Sequence, residues 1–442
     1  MKTTKWVSAG WAAGTVGSST LLGAMSLLVL FYLTEYLGIP PAVAGTLIFI
    51  SRLWDIGATL LIGQWSDRTQ SRWGRRVPFL VIGAPLAALA YAMLFAAPES
   101  LSGLSLEAYV LVALLLYATG YTIFVVPYLT IPAEITTHTH QRTTMMSYRV
   151  AFMTVAGLNI AVLGPILIGA FGGGRTGYAG MGMVQGVIVL AFMWGCAAAM
   201  VRAPVIPYVA QPRSGFFAPL KIAFRNKPFV IFITVKFFQL FAGASTTTAL
   251  LYLARYILDQ DESFLIRFGL LQTIGTLVSI PLWAYLARRY GKRNAYMGAG
   301  FLYALIALSW LTTALGEASW ITDIRLFAVG FGAAGLMVVG FSILPDTMEH
   351  NTKTSGISQE GTLAALYSMV EKGTAALGPL IAGFLLQASG FISAAGGELP
   401  PEQPQSAIVA ILVLVAVIPA TCNIVGSLLL TQFDLKETTT DP

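Results

Sequence analysis

Long apolar segments, one after another, are the feature that most constrains how this chain can fold. About twelve such segments, each of roughly 20 to 30 residues, are separated by short polar stretches. A helix needs about 20 apolar residues to cross a bilayer, so each segment can span a membrane. Of the 442 residues, 56% are hydrophobic and only 10% are charged. Because charged residues make up about 25% of an average soluble protein, the sequence predicts an all-α integral membrane protein.

The predicted spans have helical length and lack the short alternating pattern of an outer-membrane barrel. They cover approximately residues 8–37, 42–66, 78–98, 106–134, 146–171, 180–203, 228–258, 263–287, 295–314, 319–345, 361–391 and 405–432. Lys2 and Lys5 precede the first segment, as in a signal peptide. That segment is too long for a signal peptide, so it is predicted to be the first span.

Charge is distributed unevenly between alternate loops. Basic residues cluster within residues 68–76, 213–227 and 288–293, whereas the opposite loops carry mainly acids. By the positive-inside rule, both termini are expected to be cytoplasmic, in the inner membrane of a bacterium. The net charge of +6 is thus an orientation signal, and no nucleic-acid partner is expected. Cys196 and Cys422 both fall within spans, which favours small core residues over a disulfide or zinc site.

A central polar stretch divides the spans into two sets of six. Residues 204–227 contain several prolines and are predicted to link an N-terminal half, 1–203, to a C-terminal half, 228–434, with a polar tail at 435–442. The motif Arg72-Trp-Gly-Arg-Arg76 recurs six spans later as Arg289-Tyr-Gly-Lys-Arg293. Two parallel six-helix halves are the arrangement of major facilitator transporters. The alternative is that glycine beside basic residues merely makes a tight turn at both places.

Asp55 interrupts the second apolar segment. An ionisable side chain inside a membrane costs about 3 kcal/mol or more unless it is paired or faces water, so it marks a functional site by default. The following turn is predicted to form a cytoplasmic gate, in which acids on span ten bind the arginines of the first half. The gate residues are Asp67, Arg68, Arg75, Asp346 and Glu349. The alternative is ordinary positive-inside topology without a gate.

Several motifs together resemble one transporter family. Arg52-Leu-Trp-Asp55, the segment from Ser66 to Pro78, the segment from Pro127 to Thr136, and Lys372-Gly373 are similar to the glycoside–pentoside–hexuronide:cation symporters, the melibiose-permease branch of the major facilitator superfamily. The resemblance implies cation-coupled symport, with H⁺ or Na⁺, of a sugar, glycoside or uronide by alternating access. Lysophospholipid or another amphiphile or organic anion is the alternative substrate within that family.

The resemblance also implies site residues and exposes departures from the family pattern. Thr59 and Val125 stand where sodium-coupled members carry further acids, and Ser19 replaces a sugar-binding acid of span one. The implied cation-coupling residues are Asp55 and Thr59, and the implied substrate-binding residues are Ser19, Tyr121, Arg149, Ser368 and Lys372.

Residue chemistry then favours one ion and one substrate class. With few oxygen ligands beside Asp55, a proton is favoured slightly over sodium. Because the acid of span one is absent and the basic groups are retained, an anionic sugar is favoured over a neutral one as the substrate. Asp55 and Lys372, each about 18 Å from the cytoplasmic boundary, are expected to interact across the halves as a switching pair. The alternative is a permanent ion pair that only ties helices together.

The chain has no Walker glycine loop, no His-Glu-x-x-His and no Gly-x-Ser-x-Gly motif. An enzyme or an ATP-driven pump is therefore not expected, and no cofactor is implied. The expected partners are a small-molecule substrate and the lipid bilayer, and the protein is expected to be a monomer. A non-transporting sensor is the remaining alternative, which counterflow of labelled substrate would separate from a transporter.

Overall fold

The computed structural model describes residues 5–136, 139–203, 226–313, 317–355, 360–394 and 402–433. Within these ranges every regular element is helical, and no strand occurs. The prediction of an all-α fold is therefore confirmed for the part of the chain that is described.

Fifteen α-helices build this part of the chain. They are α1 Lys5–Leu27, α2 Val29–Glu35, α3 Pro41–Arg68, α4 Val77–Phe95, α5 Gly103–Ile135, α6 Thr139–Leu158, α7 Gly164–Ala170, α8 Gly174–Val201, α9 Lys227–Tyr256, α10 Phe264–Tyr290, α11 Lys292–Ser309, α12 Ser319–Ser355, α13 Glu360–Ala388, α14 Gln405–Leu412 and α15 Ile418–Leu429.

These helices give 11 membrane-spanning candidates, or 12 when the bent pair α1 and α2 counts as one span. The two helices of that pair meet at an angle of 45°. All seven residues of α2 are buried, and the Tyr32 hydroxyl donates to the Phe95 carbonyl at 2.8 Å. Neither glycine nor proline lies between Ala24 and Leu37, so the sequence offers no signal for this bend.

Spans five and twelve each contain one turn of π-helix, Asn159–Leu163 and Val413–Val417. In both spans a proline follows closely, Pro165 and Pro419. Proline has no N–H and its ring clashes with the carbonyl four residues earlier, which lies inside each π-turn. In span twelve, Ser245 donates to the Leu414 carbonyl at 2.8 Å and so satisfies a backbone group of the turn.

The chain forms two compact units, each assembled from more than one segment of the chain. Unit 1 comprises Met1–Ala210 together with Asp261–Gly269 and Pro379–Ala407, and unit 2 comprises Gln211–Gln260, Leu270–Gly378 and Ile408–Pro442. Unit 1 thus takes the start of α10 and the end of α13. The division at residues 203 and 228 remains a prediction, and most of the predicted linker, the loop at 395–401 and the tail lie outside the described residues.

Contacts within unit 1 explain why these two helix ends belong to it. Glu262, just before α10, accepts hydrogen bonds from the hydroxyls of Tyr36 and Tyr178. At the end of α13, Gly383 lies against the backbone of Pro41, and Gly45 lies against the carbonyl of Pro379. A Cβ atom on Gly45 would come within 2.7 Å of that carbonyl oxygen, so the close approach of α3 and α13 requires glycine.

Candidate functional site

Asp55 lies on α3 inside unit 1 and is 2% exposed. The Thr122 hydroxyl on α5 donates a short hydrogen bond to Asp55 Oδ1. A hydrogen bond to a carboxylate stabilises its charged form and offsets part of the cost of burial. The prediction of a buried intramembrane acid on the second span thus agrees with the structure, which also supplies a partner on span four.

Thr59 lies one turn beyond Asp55 on the same helix, and its hydroxyl donates to the Asp55 backbone carbonyl at 2.8 Å. The structure therefore keeps the predicted pair together and adds Thr122, which the sequence reasoning missed. Thr122 lies three residues before Val125, where the family resemblance implies a further acid in sodium-coupled members. The hydroxyl of Thr122, one helical turn from that position, was the signal from which the residue could have been identified.

Next to this pair, Arg52 and Tyr117 form the polar part of the same region. The Arg52 guanidinium interacts electrostatically with the Tyr117 hydroxyl, which donates to the Leu21 carbonyl of α1. Among the described residues, the buried Nε atom of Arg52 has no hydrogen-bond partner. Tyr121, a predicted substrate residue, is 9% exposed and immediately precedes Thr122. Tyr117 of span four thus connects Leu21 of span one with Arg52 of span two.

Arg149 lies on α6, where it interacts electrostatically with Tyr128 of α5. The Tyr128 ring stacks on Trp11 at a centroid distance of 5.0 Å, and its hydroxyl is 2.6 Å from Thr15 Oγ1. These contacts fix the Tyr128 side chain against span one. The Arg149 Nε atom is buried and, within the described part of the chain, makes no hydrogen bond.

Ser19, the other predicted residue of unit 1, is half-buried on α1. Its neighbour Thr20 is fully buried and accepts a hydrogen bond from Asn159 at 3.0 Å. Asn159 also donates to Gln185 at 2.8 Å and begins the π-turn of span five. This network joins spans one, five and six and gives the Ser19 region a fixed backbone.

The predicted residues of unit 2, Ser368 and Lys372, lie one turn apart on α13 and therefore share a face of that helix. Ser368 is exposed and Lys372 is half-buried. The expected pairing of Asp55 with Lys372 joins two units and remains a prediction.

Lys236 of α9 is a buried cation that snorkelling does not explain. It is 3% exposed, and its ammonium donates to Gln239 Oε1 at 2.5 Å. The ammonium also lies 5.8 Å from the centroid of the Tyr296 ring and 6.0 Å from that of Phe341. A Cβ atom at Gly340 would lie 2.9 Å from the Lys236 nitrogen, so glycine leaves the space that this nitrogen occupies.

An acid on α13 completes this group. Glu371 interacts electrostatically with Lys236 and with Tyr367. Glu371 could not be associated with Lys236 from the sequence, because the two residues lie on spans eleven and seven. Unit 2 thus contains an intramembrane acid and base of its own.

The basic turn after span two is held by acids of the same unit. Arg76 bonds to Ser66 at 2.5 Å, to Asp67 at 2.7 Å and to Glu134 at 2.8 Å. Arg75 also binds Glu134, at 2.9 Å. Glu134 was not among the predicted gate residues. Arg68, which was, is exposed at the end of α3.

The matching turn in unit 2 uses a lysine. Lys292 binds Asp346 at 2.5 Å, and Glu349 lies exposed one turn further along α12. Lys292 is therefore a competitor for the acid that was expected to bind the arginines of the first half. The gate between the halves remains a prediction.

Comparison with known proteins identifies the family. The sequence model of the family described as MFS/sugar transport protein matches residues 10–437. The chain belongs to this family. It is therefore a transporter of the major facilitator superfamily and a multi-pass membrane protein, and the prediction that it is not an enzyme is confirmed.

Relatives of known name are distant but nearly as long as this chain. The Escherichia coli inner membrane symporter YicJ is 25% identical over 96% of this chain and 90% of its own length. The glucuronide carrier protein homologue of the same organism is 23% identical, and the match covers 87% of this chain and 84% of that protein. The isoprimeverose transporter of Lactiplantibacillus pentosus is 24% identical, and the match covers 84% of this chain and 77% of that protein. These relatives support a symporter.

Solved structures share the fold. A bacterial homologue of the human lysosomal transporter Spinster superposes with a TM-score of 0.69, covering 99% of this chain and all of that one. Sequence identity to it is 14%, so the likeness concerns the fold alone. The predicted major facilitator fold is thereby confirmed.

Proposed function

We propose that this transporter couples the movement of a sugar carrying an acidic group to the movement of a cation in the same direction. The observation that carries the proposal is the buried Asp55 carboxylate with the Thr122 hydroxyl bound to it. The free energy of a carboxylate in the apolar part of a helix bundle changes strongly when the carboxylate binds or releases a cation. Binding of the ion therefore has a direct energetic effect on the helices that surround it.

We propose a proton as the coupling ion. A hard metal cation is best satisfied by several oxygen ligands. Asp55 offers one carboxylate, Thr122 already directs its hydroxyl hydrogen to that carboxylate, and Thr59 directs its own to a backbone carbonyl. A proton needs only the carboxylate. Sodium is the competing ion, and Thr122 and Thr59 would then be its additional ligands.

The substrate proposal rests on cationic side chains. Arg149 has a buried nitrogen with no hydrogen-bond partner in the described part of the chain, and Lys372 supplies a second charge. Guanidinium and ammonium groups bind carboxylates far better than they bind neutral hydroxyls. The relative named as a glucuronide carrier homologue supports a uronide. The relative named as an isoprimeverose transporter makes a neutral glycoside the competing class.

A thermal-shift screen of the purified protein tests the substrate class. Methyl glucuronide should raise the Tm, methyl glucoside of the same ring size should raise it less, and Arg149→Gln should remove the difference. If only neutral glycosides stabilised the protein, and did so equally in Arg149→Gln, the anionic class would be wrong. If a lysophospholipid alone stabilised it, the sugar proposal would be abandoned.

Uptake into proteoliposomes tests the coupling. Labelled glucuronide should accumulate under an imposed inward proton gradient, and an inward sodium gradient at fixed pH should not drive it. The opposite pattern would assign sodium. We further propose that the protein lies in the inner membrane of a bacterium with both termini in the cytoplasm, as the distribution of loop charges favours.

A further inference from the structure

A cavity of about 690 Å³ opens at the end of α10 where the second basic turn begins. Its lining includes Arg288, Arg289 and Lys292 together with Ala284 and Val338. Its volume lies within the roughly 300–1,000 Å³ of small-molecule sites. The cavity thus combines basic and apolar side chains at the end of α10.

At the corresponding turn of unit 1 the space is much smaller. The space beside Arg75 and Arg76 measures about 30 Å³. Glu134 binds both arginines there, and Asp67 binds Arg76 as well. The last two arginines of the repeated motif are therefore paired with the protein's own acids in the first copy.

In the second copy one of these acids is missing. Counting back five residues from the first arginine of each motif leads from Arg72 to Asp67 and from Arg289 to Ala284. Asp346 binds Lys292, whereas Arg288 and Arg289 have no carboxylate partner among the described residues. Ala284 itself lines the cavity. Among the described residues, the second turn therefore has two arginines without a carboxylate partner and, in place of Asp67, an alanine beside an open space.

From this asymmetry we infer that the cavity binds the phosphate group of an anionic phospholipid. Basic pockets between transmembrane helices at the leaflet boundary fit such headgroups, because the charges bind phosphate while the acyl chains stay in the bilayer. Here Arg288 and Arg289 meet the phosphate, and Val338 and Val339 contact the first part of the chains. The loop charges predict that this is the cytoplasmic leaflet.

Native mass spectrometry of the purified full-length protein tests the site. Phosphatidylglycerol should bind more tightly than phosphatidylcholine with the same acyl chains. Arg288→Gln/Arg289→Gln should weaken phosphatidylglycerol binding by about tenfold, since each basic residue near an anionic lipid contributes several-fold in affinity. Both arginines are exposed, so this variant should fold, which its Tm would verify.

The repeat supplies matched controls. Arg68→Gln/Arg72→Gln removes the same charge from the turn of unit 1 and should leave lipid binding unchanged. Ala284→Asp restores the missing acid and should weaken phosphatidylglycerol binding, whereas Gln70→Asp adds the same charge at the other turn and should not. If the paired variants had equal effects, lipid binding would depend on general surface charge and not on this cavity. Inorganic phosphate binding as tightly as the lipid would make it a free-anion site, and either result would overturn the proposal.

Discussion

At the scale of single residues, the hydrogen bond from Thr122 to Asp55 links two spans through the proposed coupling group. Thr122→Val keeps the shape of the side chain and removes the hydroxyl. A hydrogen bond to a charged group contributes about 1.5–3 kcal/mol, so gradient-driven uptake in proteoliposomes should fall by roughly tenfold or more. Thr122→Ser keeps the hydroxyl and should stay near the native rate. Equal rates for the two variants would show that the hydroxyl has no role in coupling.

Asp55 could be identified from the sequence, because a carboxylate within an apolar segment is conspicuous without knowledge of the fold. Thr122 was not, because a threonine in a transmembrane helix most often bonds to its own backbone. Thr246 and Thr374 do so here. Only the packing of α3 against α5 distinguishes Thr122 from such residues.

Lys236 and Glu371 give a second test at this scale. Because their charges interact electrostatically, Lys236→Met and Glu371→Gln should each lower the Tm. The double variant should lower it by less than the sum, since each single change already removes the interaction between the two residues. Pairing Lys236→Met with Asp346→Asn provides the control, because the partner of Asp346 is Lys292 and the two effects should add. Additive effects in both pairs would rule out the interaction.

At the scale of helices, Glu134 fastens the basic turn to the end of α5. It binds Arg75 and Arg76, whose side chains are largely buried. Removal of one partner from a buried ion pair costs about 3 kcal/mol or more, so Glu134→Gln should lower the Tm clearly. Glu99→Gln, at an exposed site with no ion pair to a described residue, should leave the Tm unchanged. Similar values for both variants would show that the turn is not held in this way.

Most helices could be predicted, since twelve apolar segments of spanning length leave few alternatives. The bend at Leu28 could not, because it follows from the packing of Tyr32 and its neighbours rather than from a helix-breaking residue. The π-turns were likewise missed. Pro165 and Pro419 were visible, but a proline in a span can end, kink or widen a helix, and periodicity does not choose among these outcomes.

At the scale of the whole molecule, the arrangement of the chain across the membrane is the broadest prediction. Ser102→Cys, in the loop after span three, should react with an impermeant thiol reagent added to intact cells. Gln70→Cys, in the basic turn, should react only after the membrane is opened. Both residues are exposed, and the native cysteines are buried, so a cysteine-containing background suffices. The reverse pattern of labelling would invert the proposed orientation.

The family and the number of spans followed from sequence, because the span-two motif and the span lengths are local features. The composition of the compact units did not follow, since it depends on close backbone contacts such as that of Gly45 with Pro379.

The central claim is that Asp55 couples the substrate to a cation, and a comparison of accumulation with counterflow tests it most directly. Asp55→Asn keeps the size of the side chain and removes the charge that binds the ion. In proteoliposomes, this variant should still exchange labelled for unlabelled substrate at a measurable rate, but it should no longer accumulate substrate under an imposed proton or sodium gradient. Accumulation by Asp55→Asn at the native rate and to the native level would contradict the claim.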